Sequence, residues 1–148
     1  MKLNMQVGLA VFLFLFAGVA SAQDMREASL SNVQGEVLVR QGAGDWMPAT
    51  SGMKITTADE IKTSARSSVD VLLDAGNVGD IQVKEKSVFK IDTMDIDPAT
   101  GDKMTNLNLA LGRILVHAQK LQGNSKFEVK TPTSTTGVRG TVFEVTVN

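Results

Sequence analysis

Apolar and polar residues alternate along most of this chain, and a period of two is that of β-strands with one buried face. Val33 to Arg40 predicts a first strand and Ile61-Lys-Thr63 a brief one. Ser68 to Asp74 alternates most regularly, with Val69, Val71 and Leu73 on one face, while Leu72 predicts that the other face is partly covered too. Ile81 to Lys84 and Val88 to Met94 continue the pattern. Leu107, Leu109 and Leu111 then alternate with Asn106, Asn108 and Ala110, and Ile114 to His117 follows directly. Helical spacing is weak: Ala58 to Ala65 has few apolar residues at that period, and Gly112 interrupts Leu109 to Leu121.

Between these runs stand turn sequences. Gln41-Gly-Ala-Gly44-Asp and Asp74-Ala-Gly76-Asn77 carry glycines that accept the positive φ a turn needs. Asp97-Pro98-Ala-Thr-Gly101-Asp102 reads as a tight hairpin loop, with Pro98 fixing φ early and Gly101 taking the left-handed position. Trp46-Met-Pro48 and the link Gly52 to Thr57 lie between the first two strands. A faint internal repeat relates Gly35-Glu-Val-Leu-Val-Arg40 to Gly112-Arg-Ile-Leu-Val-His117. Short strands separated by glycine-bearing corners predict an all-β domain, either a right-handed β-solenoid or a compact β-sandwich.

The N-terminus is different. Lys2 precedes a continuous apolar run from Val7 to Ala20, shorter than the roughly 20 residues that cross a bilayer. Ala20-Ser21-Ala22 places small residues where a signal peptidase reads them, so residues 1–22 are expected to be a cleavable export signal. Residues 23–30 are polar and read as a mobile lead-in, and 31–148 as the folded domain. The product is expected in the periplasm or outside the cell, with no membrane span left after cleavage.

Charge and composition narrow the chemistry. Lys and Arg number 15 against 16 Asp and Glu, so the chain has net charge −1, and loss of Lys2 with the leader makes it −2. That balance offers no electrostatic grip on nucleic acid or anionic lipid. With no cysteine there are no disulfides, thiolate metal sites or lipoprotein anchor, and the exported domain must rely on its core. Tyr is absent and Trp46 is the single Trp, which weakens sugar-stacking and single-strand nucleic-acid readings.

Asp92, Asp95, Asp97 and Asp102 could ligate calcium, but their spacing is not that of an EF-hand loop, and a solvated turn accounts for them. His117 is the only histidine and is expected on a strand at the edge of the core; metal sites and nucleophilic triads need further partners. No serine sits in a Gly-x-Ser-x-Gly elbow. Carboxylate pairs of the glycosidase kind have no aromatic cradle to serve. No catalytic residue, metal or cofactor is expected.

The C-terminal stretch is the most specific. Thr131 and Pro132 form a corner, and Gly137, Val138, Arg139, Gly140 and Thr141 lead to the alternating strand Val142, Phe143, Glu144, Val145, Thr146, Val147. The Gly137–Gly140 spacing could clamp a phosphate, yet the surroundings are not basic. A bend between strands accounts for it, the glycines permitting positive φ or a close approach. Arg139 is expected to brace the corner through several guanidinium hydrogen bonds. Lys130-Thr-Pro132, then Val138-Arg-Gly-Thr141 and Phe143-Glu-Val145, resemble the hallmark of the FecR domain. Gly35, Trp46-Met-Pro48, Gly52-Met-Lys-Ile, Ile61-Lys-Thr63-Ser-Ala65, Ser68 to Gly76 and Leu111-Gly-Arg-Ile114 follow the same family's order.

The resemblance implies an all-β, solenoid-like periplasmic domain. In its best-known setting that domain belongs to an inner-membrane regulator, which relays a signal from an outer-membrane iron–siderophore transporter to a cytoplasmic sigma factor. With an export signal expected at the start, no cytoplasmic N-terminal segment of that kind is expected, so what carries over is an exported interaction or signalling module whose partner is expected to be another envelope protein. Two readings compete with it: a structural envelope module that binds peptidoglycan or polysaccharide, and a carboxylate hydrolase. The last strand, Val142, Phe143, Val145 and Val147 included, is expected to lie at a sheet edge open to a partner's strand.

Overall fold

The computed structural model describes residues 25–148, so the expected export signal and the first residues of the lead-in lie outside the described residues. Twelve strands form in chain order: β1 (Ala28–Gln34), β2 (Val37–Arg40), β3 (Trp46–Pro48), β4 (Lys54–Ile55), β5 (Glu60–Thr63) and β6 (Ser68–Leu73). They are followed by β7 (Gly79–Val83), β8 (Val88–Ile96), β9 (Lys103–Ala118), β10 (Lys126–Lys130), β11 (Thr135–Val138) and β12 (Val142–Val147). The domain is all-β, as the period-two pattern implies, and its sheet curls into a half-barrel.

Strand β9 organises the whole. Its first half pairs with β8 on one side and β10 on the other; its second half pairs with β7 and β12. One half of the sheet therefore runs β3-β2-β5-β8-β9-β10-β11, and the other β4-β1-β6-β7-β9-β12. The β10–β9 ladder is parallel and all the others are antiparallel. Solenoid coils stack parallel, so the stacked-coil expectation does not describe this pairing.

Glycine corners switch the chain between the halves. The expected single strand Val33–Arg40 is broken at Gly35, whose φ is +70° and whose missing Cβ would lie 2.4 Å from Ser67 Oγ. The chain therefore leaves β1, paired with β6, and re-enters as β2, paired with β5. Gly112 does the same within β9: φ is +95°, and a Cβ there would sit 2.5 Å from Ser87 Cα. The faint Gly35/Gly112 repeat is thus a repeat of corners, each seated on a serine.

The inward-facing alternates build one core. Leu30, Val39, Ile61, Val71, Ile81, Phe89, Leu109, Ile114 and Phe127 are fully buried, and each such side chain contributes about 1.5–3 kcal/mol by leaving water. Leu111, expected on that face, is exposed instead. A register shift between Val88–Leu111 and Phe89–Leu109 turns it outward. The lead-in expectation also needs correcting, because Ala28 and Leu30 are 1% exposed and belong to β1. The polarity of the flanking residues masks an alternation that starts at Arg26.

Candidate interaction edge

The Thr131–Pro132 corner is a four-residue hairpin loop closing β10 onto β11. Thr131 N–H donates to Ser134 O at 2.8 Å, Ser134 N–H donates back to Thr131 Oγ1 at 3.1 Å, and the two hydroxyls are 2.9 Å apart. Pro132 sits where no amide donor is required. Among the described residues strand β11 pairs only with β10, and Thr135, Thr136 and Gly137 are exposed. Val138 alone turns inward, opposite Phe127, and is 5% exposed.

Arg139 to Thr141 then carries the chain from β11 in one half of the sheet to β12 in the other. Gly140 has φ +56°, and a Cβ there would approach Lys120 Cα to 3.1 Å, so it is the close-approach glycine. Gly137 is not: its φ is ordinary and nothing lies within 4 Å of a Cβ built on it. Thr141 O accepts from Ala118 N–H at 2.9 Å, which starts the β12–β9 ladder.

That bond fixes which main-chain groups of β12 are satisfied. Thr141 and Ala118 are a hydrogen-bonded pair, so in alternation Phe143, Val145 and Val147 point their N–H and C=O groups at β9. Lys84 N–H donating to Arg113 O at 2.9 Å confirms the phase, since Arg113 addresses β7. Val142, Glu144 and Thr146 therefore direct their main-chain groups to the free side. Among the described residues β12 pairs with β9 alone. The side chains of Phe143, Val145 and Val147 are half-buried against the core, and Val142 is 63% exposed. The edge thus offers free hydrogen-bonding groups beside an incompletely roofed apolar row.

Arg139 does not brace this corner. It is exposed, and among the described residues its side chain makes no hydrogen bond or ion pair. The bracing arginine is Arg26, whose side chain is 4% exposed. Its Nε donates to Asp74 Oδ2 at 2.9 Å, Nη1 to the carbonyls of Asp95 and Met104 at 3.1 and 2.9 Å, and Nη2 to Thr105 Oγ1 at 3.0 Å. Lys103 Nζ shares Asp74 at 2.8 Å. Arg26 thereby ties the start of the domain to the 3-10 turn at Asp74–Gly76 and to the β8–β9 hairpin. The signal for it in the sequence is faint: Arg26, Ala28 and Leu30 stand on one face at period two.

The other candidates serve the fold. Asp97 Oδ1 accepts from Ala99 N–H at 2.8 Å, Asp102 Oδ1 accepts from Asn124 N–H at 2.9 Å, and Asp92 lies 3.8 Å from Lys90. Asp92, Asp97 and Asp102 are spent on a pair and two turns, Asp95 lies exposed, and no metal-ligating group of three stands among the described residues. His117 Nδ1 meets Asp80 Oδ2 across strands at 2.8 Å on the half-exposed outer face. Trp46 lies exposed on edge strand β3 with the Arg40 guanidinium 4.9 Å from its ring centroid, and Arg40 also pairs with Glu60. A cleft of about 450 Å³ is lined by Asp102, Lys103, Lys120, Thr100 and Ser125 among others, and its two hydroxyls accept from the main-chain N–H groups of Asp102 and Lys103. No helix among the described residues is long and apolar enough to cross a membrane.

No curated protein and no solved structure is matched by this chain. The family profile described as FecR protein matches residues 59–148, from β5 through the motif to β12. That is more than half of the chain, and it contains the Thr131–Phe143 segment whose geometry has just been given. The chain belongs to the FecR protein family, a signalling and regulatory family associated with the cell envelope.

Proposed function

We propose that this protein is an exported, non-catalytic signalling module of the cell envelope that works by protein contact, and that the free edge of β12 is its contact element. The reading rests on one observation: Val142, Glu144 and Thr146 present unpaired main-chain groups next to the half-buried Phe143, Val145 and Val147. An incoming strand satisfies those groups and roofs that apolar row at once. The family's envelope-signalling setting supports the reading, and the N-terminal apolar run with its Ala20-Ser21-Ala22 site favours export.

The test is a photo-crosslinking residue placed at Glu144, with a second at Lys62 on the outer face of β5 as control. The expected result is protein adducts in the envelope fraction from position 144, absent from position 62 and lost on Thr146→Pro. Thr146 directs its N–H to the free side, so proline there removes an edge donor without breaking the β9 ladder. Adducts equal from both positions, or co-sedimentation with peptidoglycan unaffected by Thr146→Pro, would refute the reading.

A further inference from the structure

We infer that the strand which occupies the β12 edge is β12 of a second copy, giving a two-fold dimer with one sheet continuous across both chains. The inference rests on the edge reading above and deepens it by naming the occupant.

The phase of β12 restricts the ways two copies can meet. Only Val142, Glu144 and Thr146 offer main-chain groups to the free side, so hydrogen-bonded pairs across a two-fold axis must join even-numbered residues. An axis at Glu144 sets Glu144 against its own copy, and directly opposed like charges destabilise a ladder. An axis at Thr146 leaves the first half of β12 with no strand residue opposite it, and an axis at Phe143 sets Val145 and Val147 against Thr141 and Arg139, which are no apolar roof. An axis at Val145 pairs Glu144 with the second copy's Thr146, and Thr146 with its Glu144. On the inner face it sets Phe143 against the second copy's Val147 and Val145 against Val145, so the two half-buried apolar rows roof one another.

Charge favours the same register. Within one chain, Thr146 stands opposite Arg113 on β9, and both Arg113 and Glu144 are exposed. Among the described residues neither makes an ion pair. In the dimer the outer row reads Arg113, Thr146, then the second copy's Glu144. The backbone separation from Arg113 to that glutamate is about 10 Å, which the two long side chains span over a short threonine. The two-fold produces this complementary pair twice. A single edge ladder buries less than the roughly 1,200 Å² of a stable interface, so association is expected on the order of 10 µM and falls with salt.

Sedimentation equilibrium of the protein, expressed from its full length and purified as the host releases it, tests this over about 1–500 µM. The wild type is expected to dimerise, and Glu144→Arg or Arg113→Glu alone to raise the dissociation constant roughly tenfold. The double exchange is expected to restore it to within about threefold, which a merely structural effect of either residue would not do. Thr146→Pro is expected to abolish the dimer with far-UV circular dichroism unchanged. A wild type that stays monomeric, or a double exchange no better than the singles, overturns the inference. Crosslinks from position 144 to a different envelope protein would then leave the edge reading standing, whereas no crosslinks at all would remove both.

Discussion

Arg26→Ala offers the most demanding check on how the domain is held together. The guanidinium is 4% exposed, and its loss strands the carbonyls of Asp95 and Met104 and the hydroxyl of Thr105, each at about 1 kcal/mol. Breaking a buried pair from one side costs about 3–5 kcal/mol, but Asp74 keeps Lys103 at 2.8 Å, which offsets most of that loss. The net destabilisation is about 3–4 kcal/mol, a large share of the roughly 5–15 kcal/mol that holds an ordinary domain folded. With a urea slope of about 2 kcal/mol per M, the unfolding midpoint should fall by nearly 2 M. Arg26→Lys should lie between, because an ammonium keeps the charge but cannot reach two carbonyls, a hydroxyl and a carboxylate together. Arg139→Ala, at an exposed residue, should stay within about 0.5 kcal/mol of wild type. Urea titrations followed by circular dichroism decide the matter. An Arg26→Ala midpoint within about 0.3 M of that of Arg139→Ala would mean that the Arg26 cluster does not anchor the fold.

Three further outcomes are expected. Gly112→Ala should destabilise by more than about 2 kcal/mol in the same titration, since its φ is +95° and a Cβ would meet Ser87 main chain at 2.5 Å, whereas Gly137→Ala should be nearly neutral. Phe127→Ala should cost about 3–5 kcal/mol, because Phe127 is 1% exposed and closes the core between β9 and β11; a smaller loss would mean that Val138 and its neighbours collapse into the space. Asp97→Ala should cost about 1 kcal/mol by freeing Ala99 N–H, with calcium addition leaving the thermal midpoints of both variant and wild type unmoved.

How much of this was legible depended on whether local pattern or distant contact sets each feature. Strands β6, β7 and β8 and the Asp97–Asp102 loop follow from alternation and turn chemistry, which are local. The break at Gly35 is not local: a glycine in an alternating run has the same appearance whether or not Ser67 crowds it. Strand β11 was hidden because three of its four residues face water, so it has no alternation to read. Arg139 drew attention by sitting in the specific motif. Arg26, in a polar stretch, makes contacts to residues 48 to 79 positions away that no window along the sequence contains.

The family match and the folding unit do not coincide, and the difference explains what the motif does. The matched residues begin at Asp59, yet β5 and β6 find their other neighbours in β2 and β1. Leu30, Val37, Val39 and Ile55 fill the core from before that point. The unit that folds therefore reaches back to Arg26. What the C-terminal motif contributes is a crossing. Val138 is the last residue anchored in one half of the sheet, Gly140 passes Lys120 with φ +56° where a Cβ would crowd Lys120 Cα at 3.1 Å, and Thr141 opens the ladder in the other half. A segment that must leave one half, pass a main chain at close range and start a strand in correct phase tolerates few sequences, and so it is specific without carrying any reactive group. Its product is the position of β12. Because Thr141 O accepts from Ala118 N–H, the even-numbered residues Val142, Glu144 and Thr146 face outward, and a slip of one residue would turn Phe143 and Val145 away from the core. The motif thus fixes which main-chain groups β12 leaves on its free side, and the contact proposed for that edge rests on this phase.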